Sequence, residues 1–599
     1  MRSINAGRLT ATVSLFALAA AFAPGVALAQ DTQPVEEADQ ADAAAPQDPA
    51  AVEIAASEAA IQDSSETIVV TGSRIKRPNF ETLQPSVVID SEEIEKRGFE
   101  TLGQAINEQP SFGVPGASPV GAGQAGSFGS GQSFVNFLGL GDQRTLTLVN
   151  GRRFVSSNTA SIFGPSNLGV QVDLNAINTK LVERVETIAI GGAPIYGSDA
   201  IAGTVNVILK RDYEGIELDG QYGISQRGDA ANWRIRGIAG YNFADDRGNI
   251  TVSAEYNKGD GLLFSDRAIT RSGSFYADCP DGSQFDQCLF PDRRIPSISE
   301  SGILTVGGDV FGLNFPLSPE QSEFLVFGDP TLNFGVVDAF GNQLQFNPAG
   351  ELIPIDFGNP VGCIPCGDFN IDFSGGNGFN LNNTQQLLTD TKRYNTNVLA
   401  QFQITDAIRV FGEGWYAYSK GTQLRNQPVY NSGLFDSAGT PDGPIILSIN
   451  NPFLTDAQQA IIQNSIDSNP FSDQNIGLVG VQDYFYLSRA NTDLYTANAS
   501  TTTYLWRFVG GLDGTFDIGE RQFGWELVAN FGRAKTKGYS KEVVQQNFDN
   551  AVGSITADNP NGIPCLGGLA NSPMPTRNST CTPLNLFGTG MNSQNALDY

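Results

Sequence analysis

The residues whose spacing could do chemistry are the six cysteines. Cys363-Ile-Pro-Cys366 is a CxxC, the spacing of a redox pair or of half a zinc site. A second CxxC is absent and the chain has no histidine, so the usual zinc ligand sets are missing. The lack of histidine also removes His general bases, Ser-His-Asp triads and imidazole ligation of haem. No carboxylate pair stands out for acid–base work. The expectation is therefore no catalytic residue, no metal site, no cofactor and no enzyme. The cysteines read instead as disulfide staples, with Cys279–Cys288 and Cys565–Cys581 as natural local pairs. The pairing of Cys363 and Cys366 stays open.

Staples need an oxidising compartment, and residues 1–29 supply the route to one. Arg2 and Arg8 form a basic start, Leu15–Phe22 an apolar stretch, and Ala27-Leu28-Ala29 a small-x-small cleavage site. The apolar run is too short for a transmembrane helix, Pro24-Gly25 interrupts it, and no other stretch reaches about 18 apolar residues. The 64 acidic against 36 basic residues give a net charge of −28, which argues against a nucleic-acid partner. With 67 glycines, 38 phenylalanines and only 17% charged residues, the composition suits a strand-rich chain with many turns.

Residues 30–65 hold nine acidic residues, no basic ones, eleven alanines and three prolines, with no strand or helix period. They read as a disordered, acidic, Ala-rich periplasmic linker. Glu66-Thr67-Ile68-Val69-Val70 follows, a β-prone pentapeptide at the end of that tether. Such a segment can add a strand to the open sheet edge of a partner.

Residues 71–212 read as one α/β domain. Val87–Asp90 is a strand, Ser91 caps a helix with acids in its first turn, and helical spacing resumes from Phe99 to Pro110. The Gly/Ser-rich stretch 113–133 has no lysine, so it is no Walker loop; it is either a plain loop or an apex that touches a ligand. Arg144–Val149 and Arg152–Val155 flank Asn150-Gly151, a hairpin turn of the primed type.

After Lys210 the period changes to long alternating strands: about 216–225, 233–243, 250–257, 393–404, 408–419, 498–516 and 522–537. Each is apolar on one face and polar on the other. Strands this long, in an exported chain with no membrane helix, suit a barrel in lipid with a wet interior. A soluble sandwich would use strands of about 5–6 residues. Short connections alternate with long ones, and every long one, about 260–390 and 420–495, falls on one side. In an outer-membrane barrel that is the outer side, and all six cysteines lie on it. Seven strands cannot close an even-numbered barrel. Pro583–Gly588 and Asn595–Tyr599 read as the loop end and start of an eighth, and the chain as a fragment with an incomplete barrel.

Residues 181–210 carry the most specific pattern. Leu-Val-Glu-Arg-Val-Glu leads through Gly-Gly-Ala-Pro to Tyr196-Gly197-Ser-Asp-Ala-Ile-Ala-Gly-Thr-Val-Asn206-Val-Ile-Leu-Lys. This, with the 144–154 hairpin, resembles the plug domain of TonB-dependent outer-membrane transporters. The resemblance implies an α/β plug followed, over 213–599, by antiparallel transmembrane β-barrel strands in the outer membrane of a Gram-negative bacterium. It implies that Glu66, Thr67, Ile68, Val69 and Val70 are the TonB box gripped by the inner-membrane energy-transducing complex. It implies import of a bulky, scarce nutrient, ferric siderophore being the family's commonest cargo and oligosaccharide or cobalamin the alternatives. Glu183, Arg184 and Glu186 match plug charges that face the barrel wall in the family and lock the plug; Tyr196, Gly197 and Asn206 complete the signature. The aromatic residues Phe275, Tyr276, Phe311, Phe324 and Phe327 and the amides of 377–386 would suit a sugar as well as a siderophore. A passive porin or adhesion barrel is the rival from another class, and the plug pattern argues against it.

Overall fold

The computed structural model describes residues 86–99, 101–113, 129–157, 171–189, 196–279, 283–306, 334–361, 372–424, 430–431, 445–469, 484–494, 498–519, 521–541, 543–552 and 582–598. The leader, the linker, the pentapeptide Glu66–Val70 and Cys363, Cys366, Cys565 and Cys581 lie outside them, as do Phe311, Phe324 and Phe327.

The first domain is a five-stranded sheet. It comprises β1 (Ser86–Asp90), β2 (Thr145–Val149), β3 (Arg152–Arg153), β4 (Val182–Ile188) and β5 (Gly203–Leu209), in the order β1-β4-β5-β2-β3. Pairing is antiparallel except for β2 with β5, which run parallel. The short helices α1 (Ser91–Lys96) and α2 (Leu102–Asn107) cover it. Ser91 is the first helical residue rather than the cap: β1 runs straight into α1, and Asp90 is the flanking residue. Thr101 caps α2, its hydroxyl accepting the Gln104 N–H at 3.3 Å. Asn150 and Gly151 both take positive φ (52° and 74°), as a primed hairpin turn requires.

Seven long strands follow: β6 (Gly215–Gly223), β7 (Asn232–Phe243), β8 (Gly248–Gly259), β9 (Asp390–Thr405), β10 (Ile408–Leu424), β11 (Asn498–Ile518) and β12 (Arg521–Ser540). Each pairs antiparallel with the next, so they form one meandering wall from β6 to β12.

The wall is inverted relative to a soluble sheet. On its outward face Ile216, Leu218, Tyr241, Leu527 and Phe531 are between 65% and 87% exposed. On the inward face Arg234, Arg236, Asn249, Thr251, Glu255, Asn395, Glu413 and Arg507 are buried. Water would reverse that choice, because apolar burial stabilises and buried charge costs. Hydrocarbon outside and a polar filling inside satisfy both. Along β9 the outward stretch Tyr394–Phe402 is nine residues, the length needed to cross a bilayer when tilted. Phe402 stacks on Phe243 at 6.0 Å near the short-turn end, and Tyr394 on Tyr418 at 4.5 Å near the long-loop end. Aromatic rings at both ends of an apolar band are the girdles of such strands.

The long connections build a lobe of their own. Strand segments Ile303–Thr305, Leu344–Phe346, Leu352–Pro354, Tyr430–Asn431, Ile445–Ser448 and Tyr484–Ala490 form one six-stranded sheet. Helix α3 (Asp456–Ser468) begins with a capping box between Thr455 and Gln458 and buries Ile462 and Ile466, one turn apart, against it. Leu584, Leu586, Phe587 and Ala596 complete this apolar cluster. The expected start of an eighth strand is therefore corrected. Leu584–Phe587 forms no strand and packs into the lobe rather than the wall, and Gln594–Asp598 is a short helix with Ala596 buried. Their apolar side chains find partners in the lobe's core, which outweighs local strand preference.

Candidate functional site

The seam between the first domain and the wall is polar, and three groups of contacts carry it. The first sits beside α1. Lys180, 3% exposed, bonds Glu95 of α1 at 2.8 Å and Glu217 of β6. Arg236 of β7 pairs with Asp219 of β6 at 2.6 Å and donates to the Thr179 hydroxyl at 2.6 Å. Arg234 donates to the Phe99 carbonyl and lies 3.6 Å from Asp219. Burial alone would lower the Lys180 pKa, but its bonds to Glu217 and Glu95 outweigh burial and hold the ammonium above the usual lysine range.

The second group surrounds the Asn150-Gly151 hairpin. Arg152 reaches Glu413 of β10 at 3.5 Å and Glu526 of β12. Arg507 of β11, with no solvent exposure, bonds the same Glu413 at 2.9 Å, and the Trp415 indole N–H donates to it at 3.1 Å. The Arg507 guanidinium also lies 5.2 Å from the Phe154 ring centre and 5.6 Å from that of Trp415. Glu413 is thus the shared anion of a plug cation and a wall cation, in a place with little water to screen it.

The third group is where the Gly/Ser-rich stretch ends. Ser130, Gln132 and Ser133 are buried. Gln132 donates to Thr503 of β11 at 2.9 Å, Arg393 of β9 to the Gly131 carbonyl at 3.3 Å, and Asn395 to the Asn175 carbonyl at 3.1 Å. Backbones touch here: a Cβ on Gly421 of β10 would fall 2.4 Å from the Ser130 carbonyl carbon, and one on Gly131 (φ +77°) 2.7 Å from Gly421. Only paired glycines allow that approach. Asp173 accepts the Ser133 and Asn175 N–H groups at 3.0 Å each and the Ser419 hydroxyl at 3.5 Å. Burial pushes its pKa above the usual carboxylate range, against those bonds and the Arg393 charge.

With the geometry in place, residues 78–204 match the TonB-dependent receptor plug domain family. The chain carries a TonB-dependent receptor plug. The plug and the inverted wall together place it in the outer membrane of a Gram-negative cell. Among solved structures the chain is similar to the ferric enterobactin receptor of Pseudomonas aeruginosa in complex with enterobactin, at 15% identity and a TM-score of 0.31 over 78% of this chain and 51% of that one. It is also similar to the siderophore receptor PirA of Pseudomonas aeruginosa (10%, TM-score 0.28, 76% and 50%) and PiuA of Acinetobacter baumannii (13%, TM-score 0.30, 76% and 46%). The chain spans about half the length of these structures.

Within the plug the signature residues do local work. Arg184 bonds Glu183 at 2.6 Å and Glu186 at 2.9 Å, all on β4. Asn206 accepts the Gly151 N–H at 2.9 Å and approaches Glu186 at 3.5 Å, while Asn150 accepts the Leu209 N–H at 3.1 Å. Those bonds tie the hairpin, and so Arg152, to β5. Tyr196 packs on Leu146, Leu148 and Ala200, and its carbonyl accepts from Arg153. Gly197 takes φ +98°, which favours glycine.

The seam residues Lys180, Arg152, Glu413 and Arg507 were not legible as a set, since they lie on separate elements. The one available signal was a charge on the polar face of a wall strand. Among the described residues no group of three or more Cys, Asp or Glu side chains is placed to hold a metal. In the lobe, Cys279 and Cys288 form a disulfide across the hairpin Phe275–Asp278 and Gln287–Phe290. Phe275 is buried and Tyr276 is 72% exposed. The amides of 377–386 are largely engaged with backbone: Asn377 accepts the Asp356 N–H, Asn380 and Asn382 donate to the Arg271 and Thr270 carbonyls, and Gln386 accepts the Leu424 N–H. They hold loops together.

Proposed function

We propose that this chain is the plug-bearing part of a transporter that imports a bulky, scarce nutrient across the outer membrane, energised by the proton-motive force through TonB. Ferric siderophore is the first candidate cargo. The observation that carries the reading is the plug seated on a lipid-facing wall by a seam of charges and hydrogen bonds. Pulling a plug off such a seam exchanges buried pairs for water as it enters, so a directed force can release it without first exposing a large apolar face. Glu66–Val70, ahead of the plug, is the segment on which that force would act by strand addition.

The test is uptake of labelled iron by iron-starved source cells. Iron chelation should raise the abundance of the protein, and Val69→Pro should abolish uptake while ligand binding persists, because proline removes a main-chain donor from the added strand. Unchanged uptake in Val69→Pro would support a passive pore. Lack of induction would move the cargo to an oligosaccharide or cobalamin, read by growth on candidates.

A further inference from the structure

The apolar core of the lobe is not closed. Just beyond the end of β12, a cavity of about 180 Å3 opens between α4 (Gln545–Val552), α5 (Gln594–Asp598) and the segment at Leu584. Phe548, Ala551, Leu584 and Ala596, all buried, make its floor. Val544 and Leu597, 62% and 36% exposed, make its lip. An apolar cavity of about 150 Å3 takes one benzene ring, so this one has room for a single ring or a short branched chain. An apolar occupant would also cover Val544 and Leu597, which now lie open to water.

Two opposite charges share the lining with these apolar groups. Lys541 and Asp598 are both exposed. They do not pair with each other, and among the described residues neither has an ion-pair partner. The Gln594 amide donates to the Asp598 carboxylate at 2.8 Å from one turn earlier on α5, which orients it. Lys541 stands just ahead of α4. The Val544 carbonyl accepts the Asn547 and Phe548 N–H groups at 2.9 and 3.0 Å, so that helix begins at the cavity wall. A helix start favours an anion, and Lys541 adds a full positive charge on the same stretch of chain. Asp598 supplies the negative charge from the other helix.

An apolar floor with a few convergent polar groups is the usual make-up of a small-molecule site, and the charges say which molecule. A plain hydrocarbon would use the floor and ignore both charges. A carboxylate alone would gain Lys541 and be repelled by Asp598, and an amine alone the reverse. A molecule with both charges and one apolar group satisfies every part of the lining. We infer that this cavity is a binding site for a small zwitterion with one ring-sized apolar group, the class of the apolar α-amino acids. Its carboxylate lies toward Lys541 and the start of α4, and its ammonium toward Asp598. No lining residue belongs to the plug. The inference therefore stands apart from cargo and energisation, and a loss of iron uptake would leave it intact.

The test is calorimetric titration of the purified full chain in neutral detergent with L-phenylalanine, 3-phenylpropionate and phenethylamine. The three share one ring and differ in the charges they carry. Phenylalanine should bind saturably, and each single-charge probe about tenfold more weakly, the factor expected for losing one charged contact. Lys541→Gln should lower phenylalanine affinity about tenfold without weakening phenethylamine. Asp598→Asn should do the same without weakening 3-phenylpropionate. Both positions are exposed, so neither variant removes a core group, and Lys541→Arg should keep wild-type binding. Hydrogen exchange with phenylalanine present should slow in 543–552 and 594–598 while plug amides are unchanged. Absence of saturable binding overturns the inference, as does equal affinity for the three probes, or slowing confined to residues outside the lobe. Slowing of the same amides by raised protein concentration alone overturns it too, since a second copy of the chain would then be the occupant.

Discussion

The plug and the outer lobe each have an apolar core, but the segments that make them are held together differently. The lobe's core joins remote stretches of chain, from Leu304 and Phe346 through Ile462 and Leu487 to Phe587, by apolar burial together with the pairing of its sheet. Arg489, fully buried in the lobe, bonds Asp493, Asn491 and the Gly588 carbonyl, all inside the lobe. The plug core is self-contained apart from a few wall residues such as Trp415 and Leu505, and its attachment runs through Lys180, Arg152, Gln132 and Asp173. Apolar attachment resists separation because every exposed Å² costs free energy. Polar attachment is directional and exchangeable with water. The part that the proposed import would move is fastened largely by the second kind.

Three substitutions would break or sharpen that contrast. Phe587→Ala removes a fully buried ring from the lobe and should cost about 3–5 kcal/mol. Hydrogen exchange should accelerate in Ile303–Thr305 and Tyr484–Ala490 while plug amides keep their protection; equal acceleration in the plug would mean that the two regions are one cooperative body. Glu413→Ala leaves Arg507 buried without its carboxylate and should cost about 3 kcal/mol at the seam. It should expose Arg152–Phe154 to protease, with the lobe unchanged. The smallest effect belongs to Asp173→Asn. The folded pKa of Asp173 is raised, so its contribution to stability is fully present below the unfolded value of about 3.9 and is lost as pH rises through the folded value. Asparagine keeps an acceptor for the Ser133 and Asn175 N–H groups without the charge. Thermal unfolding followed from acid to neutral pH should therefore show a shallower loss of plug stability with rising pH than wild type. An identical slope would mean that Asp173 does not set it.

Much of the fold was legible because its signals are local. All seven wall strands fall within a few residues of their expected bounds, since a two-residue period sustained over a dozen positions has no competing interpretation. The hairpin at Asn150-Gly151 was legible for the same reason: two residues that tolerate positive φ stand between two strands. The candidate site was legible only in part. The signature marked Arg184, Glu186 and Asn206, which bond one another and the hairpin within the plug, whereas Lys180 carried no local mark and proved central to the seam. The C-terminal segment misled, because Leu584, Leu586 and Phe587 look like strand residues until the lobe that absorbs them is seen.

The amino-acid sequence by itself determined that this chain folds a plug and lays down long strands with one apolar face, because motif and period are written in consecutive residues. Only the tertiary structure decided which charges meet across the seam, that Gly131 and Gly421 let two backbones touch, and that loops more than a hundred residues apart share one core. Those facts depend on register between distant strands. Register is a sum over many weak pairings, and no single stretch of sequence contains it.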